Sequence, residues 1–247
     1  MIQITSPQNA LFKIWMSLHS SKGIKKEKQF LVSGQKLVDE LLKNKNIKVE
    51  GEIIHGGLES RAPHGTKVYC LDKTLFNEID LVGTHYNIFV CQLPEISPLK
   101  PDHQPNGLEL ITPLGDPNNL GALVRSAEAF GVRTMILTED ACNPFHPKSV
   151  KASSGSVLRM NFLKAPSLKN LPVLKNIWAL DGHGKPLPQF KWPKDLFLLV
   201  GEEGPGLAQA DLEFKIPTLS IPTESVESLN AVVATSIALY SYKLQSH

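Results

Sequence analysis

Cysteine is scarce in this chain of 247 residues, with three in all. Cys70, Cys91 and Cys142 are odd in number, lie far apart, and form no CxxC pair. That spacing excludes a zinc ribbon and a disulfide framework, and predicts three small buried apolar residues. No window approaches about 18 uninterrupted apolar residues, so no bilayer-spanning helix is encoded. The opening stretch from Met1 to Trp15 lacks the basic head, apolar middle and small-residue cleavage site of a secretory signal. A cytoplasmic protein is the expectation. Arginine is also rare, limited to Arg61, Arg125, Arg133 and Arg159. A guanidinium grips a phosphate or carboxylate through two parallel hydrogen bonds, which lysine cannot do, so each arginine is weighed individually.

What is present is ordinary globular composition, 42% hydrophobic and 20% charged, which excludes a disordered tail, a collagen or a coiled-coil rod. The net charge of +2 is unevenly spread. Residues 1–105 hold 13 basic against 11 acidic side chains, and residues 106–247 hold 13 of each. Between Lys22 and Lys48 there are 8 lysines against Glu27, Asp39 and Glu40. Such a stretch can meet phosphates, or it can be a solvated surface. The segment from Pro94 to Pro105 carries four prolines in twelve residues. Proline fixes φ and restricts its predecessor, so an extended linker is predicted at about 94–106, dividing a domain of residues 1–100 from one of 101–247.

Both parts alternate strands with helices, the pattern of layered α/β domains. In the first, Ser6-Pro7 reads as a helix start before Leu11, Ile14, Trp15 and Leu18. Strands are predicted at 30–32, 49–55, 67–71 and 87–93, with helices from Gly34 and over 73–79. In the second, strands are predicted at 108–113, 134–138, 177–180, 195–200 and 219–221. Helices are predicted over 119–130 and 228–243, the latter with Leu229, Val232, Val233, Ile237 and Tyr240 on one apolar face. Residues 195–200 have the continuous apolar character of a strand buried inside a parallel sheet. Ligands of such sheets bind at the carboxyl ends of the strands.

Three loops that follow predicted strands hold the unusual residues. The first runs from Gly115 to Gly131, with Asn119 near a helix start, where it can cap, and Arg125 six residues later. A helix N-terminus favours an anion, although a capped helix with a surface arginine fits equally. The second, from Leu199 to Leu207, sets Gly201, Gly204 and Gly206 around Glu202 and Glu203. Its spacing is neither GxGxxG nor a P-loop, and suits close backbone approach or a plain tight turn. The third, from Ser220 to Ala234, places Ser228 and Asn230 at a helix start, where capping accounts for one of them. The small hydroxyl-rich stretch from Lys151 to Ser156 is accounted for by a turn or helix end.

Taken together, the order and spacing of the three loops resemble the SpoU/TrmH family of RNA ribose methyltransferases, within the SPOUT superfamily. The resemblance rests on Asn119, Gly121, Arg125, Ser126, Ala127, Ala129 and Gly131. It continues in Gly201, Glu203 and Gly206, and in Ile221, Pro222, Ser228, Leu229, Asn230, Val233 and Ala234. It covers about residues 106–245. Residues 1–100 more weakly resemble the small α/β (L30e/L7Ae-like) substrate-binding domain that often precedes it, through Ser6-Pro-Gln-Asn9 and Phe30 to Leu37. The stretch between Ile221-Pro222 and Ser228 is about one residue shorter than usual and lacks the common glycine.

The resemblance implies an α/β trefoil-knot domain with a parallel sheet, and a methyl transfer from S-adenosyl-L-methionine to a ribose 2′-hydroxyl. It implies Arg125 as the catalytic arginine, with Asn119, Glu203, Ser228 and Asn230 completing the catalytic set. Gly201, Ile221 and Leu229 are the implied cofactor positions, and no metal is implied. Because a guanidinium stays protonated, a bidentate grip on the phosphate beside the target ribose suits Arg125; a role as direct base stands beside it. The implied partners are RNA, with ribosomal RNA favoured over transfer RNA, and a second copy of the chain meeting the closing helix. The competing readings are a catalytically silent RNA-binding protein with the same fold, and a nucleotide-dependent oxidoreductase. The second requires a GxGxxG turn after an early strand, and the sequence has none.

Overall fold

The computed structural model describes residues 1–201, 215–226 and 228–245. They form two compact units, Met1–Glu95 with Asn143–Arg159, and Ile96–Cys142 with Met160 onward. None of the helices among the described residues is long and apolar enough to cross a membrane.

The first unit runs β1 (Ile2–Ile4), α1 (Ala10–Ser17), α2 (Ser21–Glu27), β2 (Gln29–Ser33), α3 (Gln35–Lys43), β3 (Val49–His55), β4 (Lys67–Leu71), α4 (Lys73–Ile79) and β5 (Ile88–Gln92). Its five-stranded sheet has the order β1-β4-β3-β5-β2. β4 pairs parallel with β1 and β3, and β5 pairs antiparallel with β3 and β2. The helix predicted from Ser6-Pro7 begins later. Ser6 instead closes a turn onto Asn9, and the Asn9 side chain caps α1 by accepting from the Leu11 amide at 2.9 Å. The basic stretch from Lys22 to Lys48 contains α2, unpredicted from its charge, and all eight of its lysines are exposed. Its buried face is carried by Gly23, Ile24, Phe30, Leu31, Val32, Leu37, Val38 and Leu41. Gly23 is required there, because a Cβ would stand 1.9 Å from the Ser17 carbonyl oxygen.

A buried carboxylate organises the far side of this sheet. Glu52, in the middle of β3, is fully buried. It accepts from the amides of Arg61 (2.8 Å) and Ala62 (3.1 Å), from Asn87 Nδ2 (2.6 Å) and from Ser60 Oγ (2.5 Å). Four donors compensate the charge for lost hydration and pin the loop after β3.

The second unit opens with β6 (Ser97–Pro98), a two-residue strand inside the proline-rich linker, and continues through β7 (Leu108–Thr112), α5 (Pro117–Ala129) and β8 (Thr134–Leu137). The chain then leaves it. Asn143–Arg159, with α6 (Pro147–Ala152), packs in the first unit although it lies beyond the linker. There Phe145 stacks on Phe30 with ring centroids 4.8 Å apart, Lys151 Nζ donates to the Val82 carbonyl at 2.6 Å, and Arg159 pairs with Glu40. The second unit resumes with β9 (Asn161–Lys164), β10 (Ile177–Pro186), β11 (Leu196–Leu199), β12 (Thr218–Ser220) and α7 (Ala231–Gln245).

Among the described residues these strands make a seven-stranded sheet of order β12-β10-β11-β7-β8-β9-β6, and every neighbouring pair is parallel. β7 and β11 are buried along their whole length, which is why β11 reads as an unbroken apolar run, whereas β7 also buries Glu109 and Thr112. The expected strand over 177–180 extends to Pro186, and the expected helix from Ser228 starts at Ala231. Three residues of the apolar face predicted for that helix, Val233, Ile237 and Tyr240, point outward, and Leu229 and Val232 are half-buried. Val233, Ile237, Tyr240 and Leu244 are 38–60% exposed, while Thr235, Ala238 and Leu239 are buried. Threading of a knot depends on the complete path of the chain, and residues 202–214 of that path lie outside the described residues.

Two histidines of the first unit hold backbone. His19 Nε2 donates to the Ile79 carbonyl at 2.9 Å, and His146 Nε2 donates to the His19 carbonyl at 2.9 Å. Burial pulls the His19 imidazole below its ordinary 6.5, against a smaller opposing effect of its bond to Ile79. The folded state therefore favours the neutral ring. Its stabilising contribution is complete above pH 6.5 and is lost as pH falls through 6.5 toward the lower folded value. His19→Gln, which keeps a donor but does not titrate, should show a shallower fall in thermal midpoint between about pH 7.5 and about pH 5.5 than the parent chain. Parallel melting series in matched buffers measure this, and equal slopes would contradict it.

Candidate active site

Because the sheet is parallel, β7, β10, β11 and β12 all end at one edge. The three loops singled out in the sequence leave from β7, β11 and β12 at that edge. The register levels them. Ala179 of β10 faces Leu199 of β11 on one side and Thr218 of β12 on the other, so Gly201 and Ser220 stand two residues further along on either side of β10. With strands about 4.8 Å apart, the two loops emerge about 10 Å from one another.

The first loop turns into α5. Its cap is Asp116, whose carboxylate accepts from the amides of Asn118 and Asn119, both at 2.9 Å, with Pro117 at the first helical position. Asn119 is therefore a first-turn residue, not the cap, and it is half-buried. Arg125 is the ninth residue of the helix, in its third turn, and is exposed. Six residues at 100° each separate Asn119 and Arg125 by about 120° around the axis, whereas Asn118 shares the Arg125 stripe. The next residue, Ser126, receives a hydrogen bond from Ser236 of α7 at 3.0 Å, tying the arginine-bearing helix to the closing helix.

The third loop places Ile221 directly after β12, half-buried, and ends in Ser228, Leu229 and Asn230 before α7. Asn230 is the helix cap, its Oδ1 accepting from the amides of Val232 (2.9 Å) and Val233 (3.3 Å). Ser228 is exposed and Leu229 half-buried. In the second loop Gly201 is half-buried, and Glu203 and Gly206 lie outside the described residues.

The sequence reading overlooked the end of β10. Leu180 and Lys185 both pair with Leu219, so Asp181-Gly-His-Gly184 bulges out between the β11 and β12 loops. The paired glycines around His183 are the signal that could have found it, since glycine inside a strand marks a bulge or a close backbone approach. No group of histidine, cysteine or acidic side chains able to hold a metal exists among the described residues. Cys70 and Cys91 are buried, as expected, and burial pushes the Cys91 thiol up; Cys142 is half-buried.

The SpoU rRNA Methylase family description matches residues 110–240. The chain belongs to that family. It is 30% identical over 256 residues to "23S rRNA (guanosine(2553)-2'-O)-methyltransferase RlmP" of Bacillus subtilis, covering 97% of this chain and 98% of that protein. It is 36% identical over 246 residues to "Ribosomal RNA small subunit methyltransferase G 2" of Syntrophobacter fumaroxidans, covering 97% of this chain but 49% of that protein, so it spans about half of that relative. Among solved structures, the SpoU methyltransferase AviRb from Streptomyces viridochromogenes in complex with AdoMet matches with a TM-score of 0.80 and 23% identity, over 96% of this chain and 98% of that one. That likeness establishes the fold: an α/β protein with a small N-terminal α/β part and a C-terminal parallel-sheet domain.

The cap geometry separates two jobs for Asn230. Asn230→Asp keeps an oxygen acceptor at the cap, whereas Asn230→Ala removes it and should cost about 1 kcal/mol of stability. If the residue acts only as a cap, the aspartate variant retains full activity. A stable aspartate variant with sharply reduced activity is the outcome expected for a residue that also touches substrate, and paired melting and turnover measurements decide it.

Proposed function

We propose that this chain is an S-adenosylmethionine-dependent RNA methyltransferase that modifies a ribose 2′-hydroxyl, with ribosomal RNA as its substrate. The observation that carries the proposal is the convergence of three family loops at the carboxyl edge of one parallel sheet. The names of the family and of the Bacillus subtilis relative support ribosomal RNA, and the cofactor in the AviRb complex supports the methyl donor.

The residues at the edge suit such a cofactor. Gly201 presents backbone without a side chain, and Ile221 and Leu229 offer half-buried apolar surface for a purine. Bound S-adenosylmethionine would supply a methyl group on a positively charged sulfur, a leaving group that needs no metal. The chain's own task is then to place the hydroxyl oxygen in line with that methyl carbon, at about 3–3.5 Å. Arg125, exposed on α5, grips the phosphate next to the target ribose through two hydrogen bonds and so orients the hydroxyl. The hydroxyl proton leaves through that phosphate or water, because a guanidinium does not accept it at neutral pH. Asn119 and Glu203 orient the arginine or the incoming nucleotide, and Ser228 and Asn230 hold the hydroxyl side of the pocket.

The eight exposed lysines from Lys22 to Lys48 supply sequence-independent phosphate contacts, which position RNA without specifying it. The outward stripe of Val233, Ile237, Tyr240 and Leu244 on α7 is the surface on which two copies form a homodimer. A cytoplasmic location is part of the same proposal.

Arg125→Ala should lower methyl transfer by about 100-fold or more while leaving S-adenosylmethionine affinity within about threefold. Arg125→Lys should not restore it, since an ammonium cannot make the bidentate grip. Single-turnover transfer and calorimetric cofactor binding, measured on the same preparations, separate the two quantities. Near-normal transfer by the alanine variant would remove Arg125 from the mechanism.

A further inference from the structure

The bulge at the end of β10 is locked to β12 by two independent contacts. Ser220, the last residue of β12 and 8% exposed, donates from Oγ to the Gly184 carbonyl at 2.8 Å. Gly184 also lies so close to β12 that a Cβ would fall 2.5 Å from the Thr218 carbonyl carbon and 2.6 Å from the Leu219 nitrogen. These are backbone atoms, which cannot swing aside as a flexible side chain would. At its other end the bulge is shaped by Asp181, whose carboxylate accepts from the His183 amide at 2.9 Å. The four extra residues are therefore folded against the neighbouring strand, and the residue that follows the lock in β12 is Ile221.

We propose that Ser220 and Gly184 are positioning residues that fix the start of the Ile221 loop, and thereby set the affinity for S-adenosylmethionine. The proposal rests on the assignment of Ile221 to the cofactor pocket. Among the described residues β12 is an edge strand three residues long, so few ladder hydrogen bonds hold its carboxyl end. The register breaks between Leu180 and Lys185, and pairing resumes only with Lys185 opposite Leu219 and Pro186 opposite Ser220, where proline has no N–H to give to the ladder. The Ser220 hydroxyl and the Gly184 contact supply that alignment at the point where the strand becomes the loop. A lock of this kind reduces the ordering that cofactor binding must otherwise impose, which is how preorganisation raises affinity. Its loss should weaken cofactor binding and raise KM for S-adenosylmethionine, with kcat at saturating cofactor little changed.

The test measures S-adenosylmethionine binding by calorimetry and steady-state methyl transfer for the full chain and three variants. Ser220→Ala should weaken cofactor binding by about tenfold, the scale of one buried hydrogen bond, and raise KM for the cofactor by a similar factor. Ser220→Thr, which keeps the hydroxyl, should return both to within about threefold. Gly184→Ala should weaken binding at least as much as Ser220→Ala, because β12 must move to admit the new methyl. Cofactor affinity in Ser220→Ala equal to that of the parent chain would overturn the lock. So would a fall in kcat with KM unchanged. If Ser220→Ala does not fold, Ser220→Cys, similar in size and a weaker donor, carries the same comparison. Absence of any cofactor binding by the parent chain would overturn the assignment of Ile221 and the lock with it, and is distinguishable because no variant is then needed.

Discussion

Parallel pairing of β7, β11, β10 and β12 sends the ends of four strands out of the same edge of one sheet. Residues as distant in sequence as Asn119, Gly201 and Ile221 reach that edge only because of it. An antiparallel neighbour would carry one of the loops to the opposite edge and dissolve the site. Burial enforces the arrangement: β7 and β11 are covered on both faces, as the central strands of a parallel sheet are. The stability of the hydrophobic layer and the geometry of the pocket are thus one constraint.

On that frame the helices do the positioning. Asp116 and Asn230 cap α5 and α7, and the Ser126–Ser236 hydrogen bond ties the two helices together near Arg125. Short polar side chains at the helix starts thus fix the direction in which α5 and α7 carry their residues.

Much of this was legible in the sequence, for identifiable reasons. β3, β4 and α4 fall on the predicted bounds, because alternating or continuous apolar patterns and the Asp72 cap leave little ambiguity. The loops of the candidate site were legible because glycine, asparagine and arginine clustered after predicted strands. Other features were hidden. The two-residue β6 is held by pairing with β9, which a run of prolines conceals. Helix α2 was masked by its lysines, since only Gly23 and Ile24 of its seven residues are buried. The caps were misassigned by a few residues at Ser6 and Asn119, where several side chains of similar chemistry compete. The bulge after Leu180 depends on register with β12, a long-range property that no local pattern encodes. The outward direction of the α7 stripe was equally unreadable, because an apolar face suits a core and a subunit contact alike.

The claim at the centre is that the loops at this edge deliver a methyl group to a ribose oxygen. Incubating the purified chain with isotope-labelled S-adenosylmethionine and ribosomal RNA from cells lacking the gene, then digesting the RNA to nucleosides for mass spectrometry, tests it directly. The account predicts label in a 2′-O-methylated nucleoside. Label found only in a base-methylated nucleoside, or no label in RNA despite cofactor binding, would contradict it.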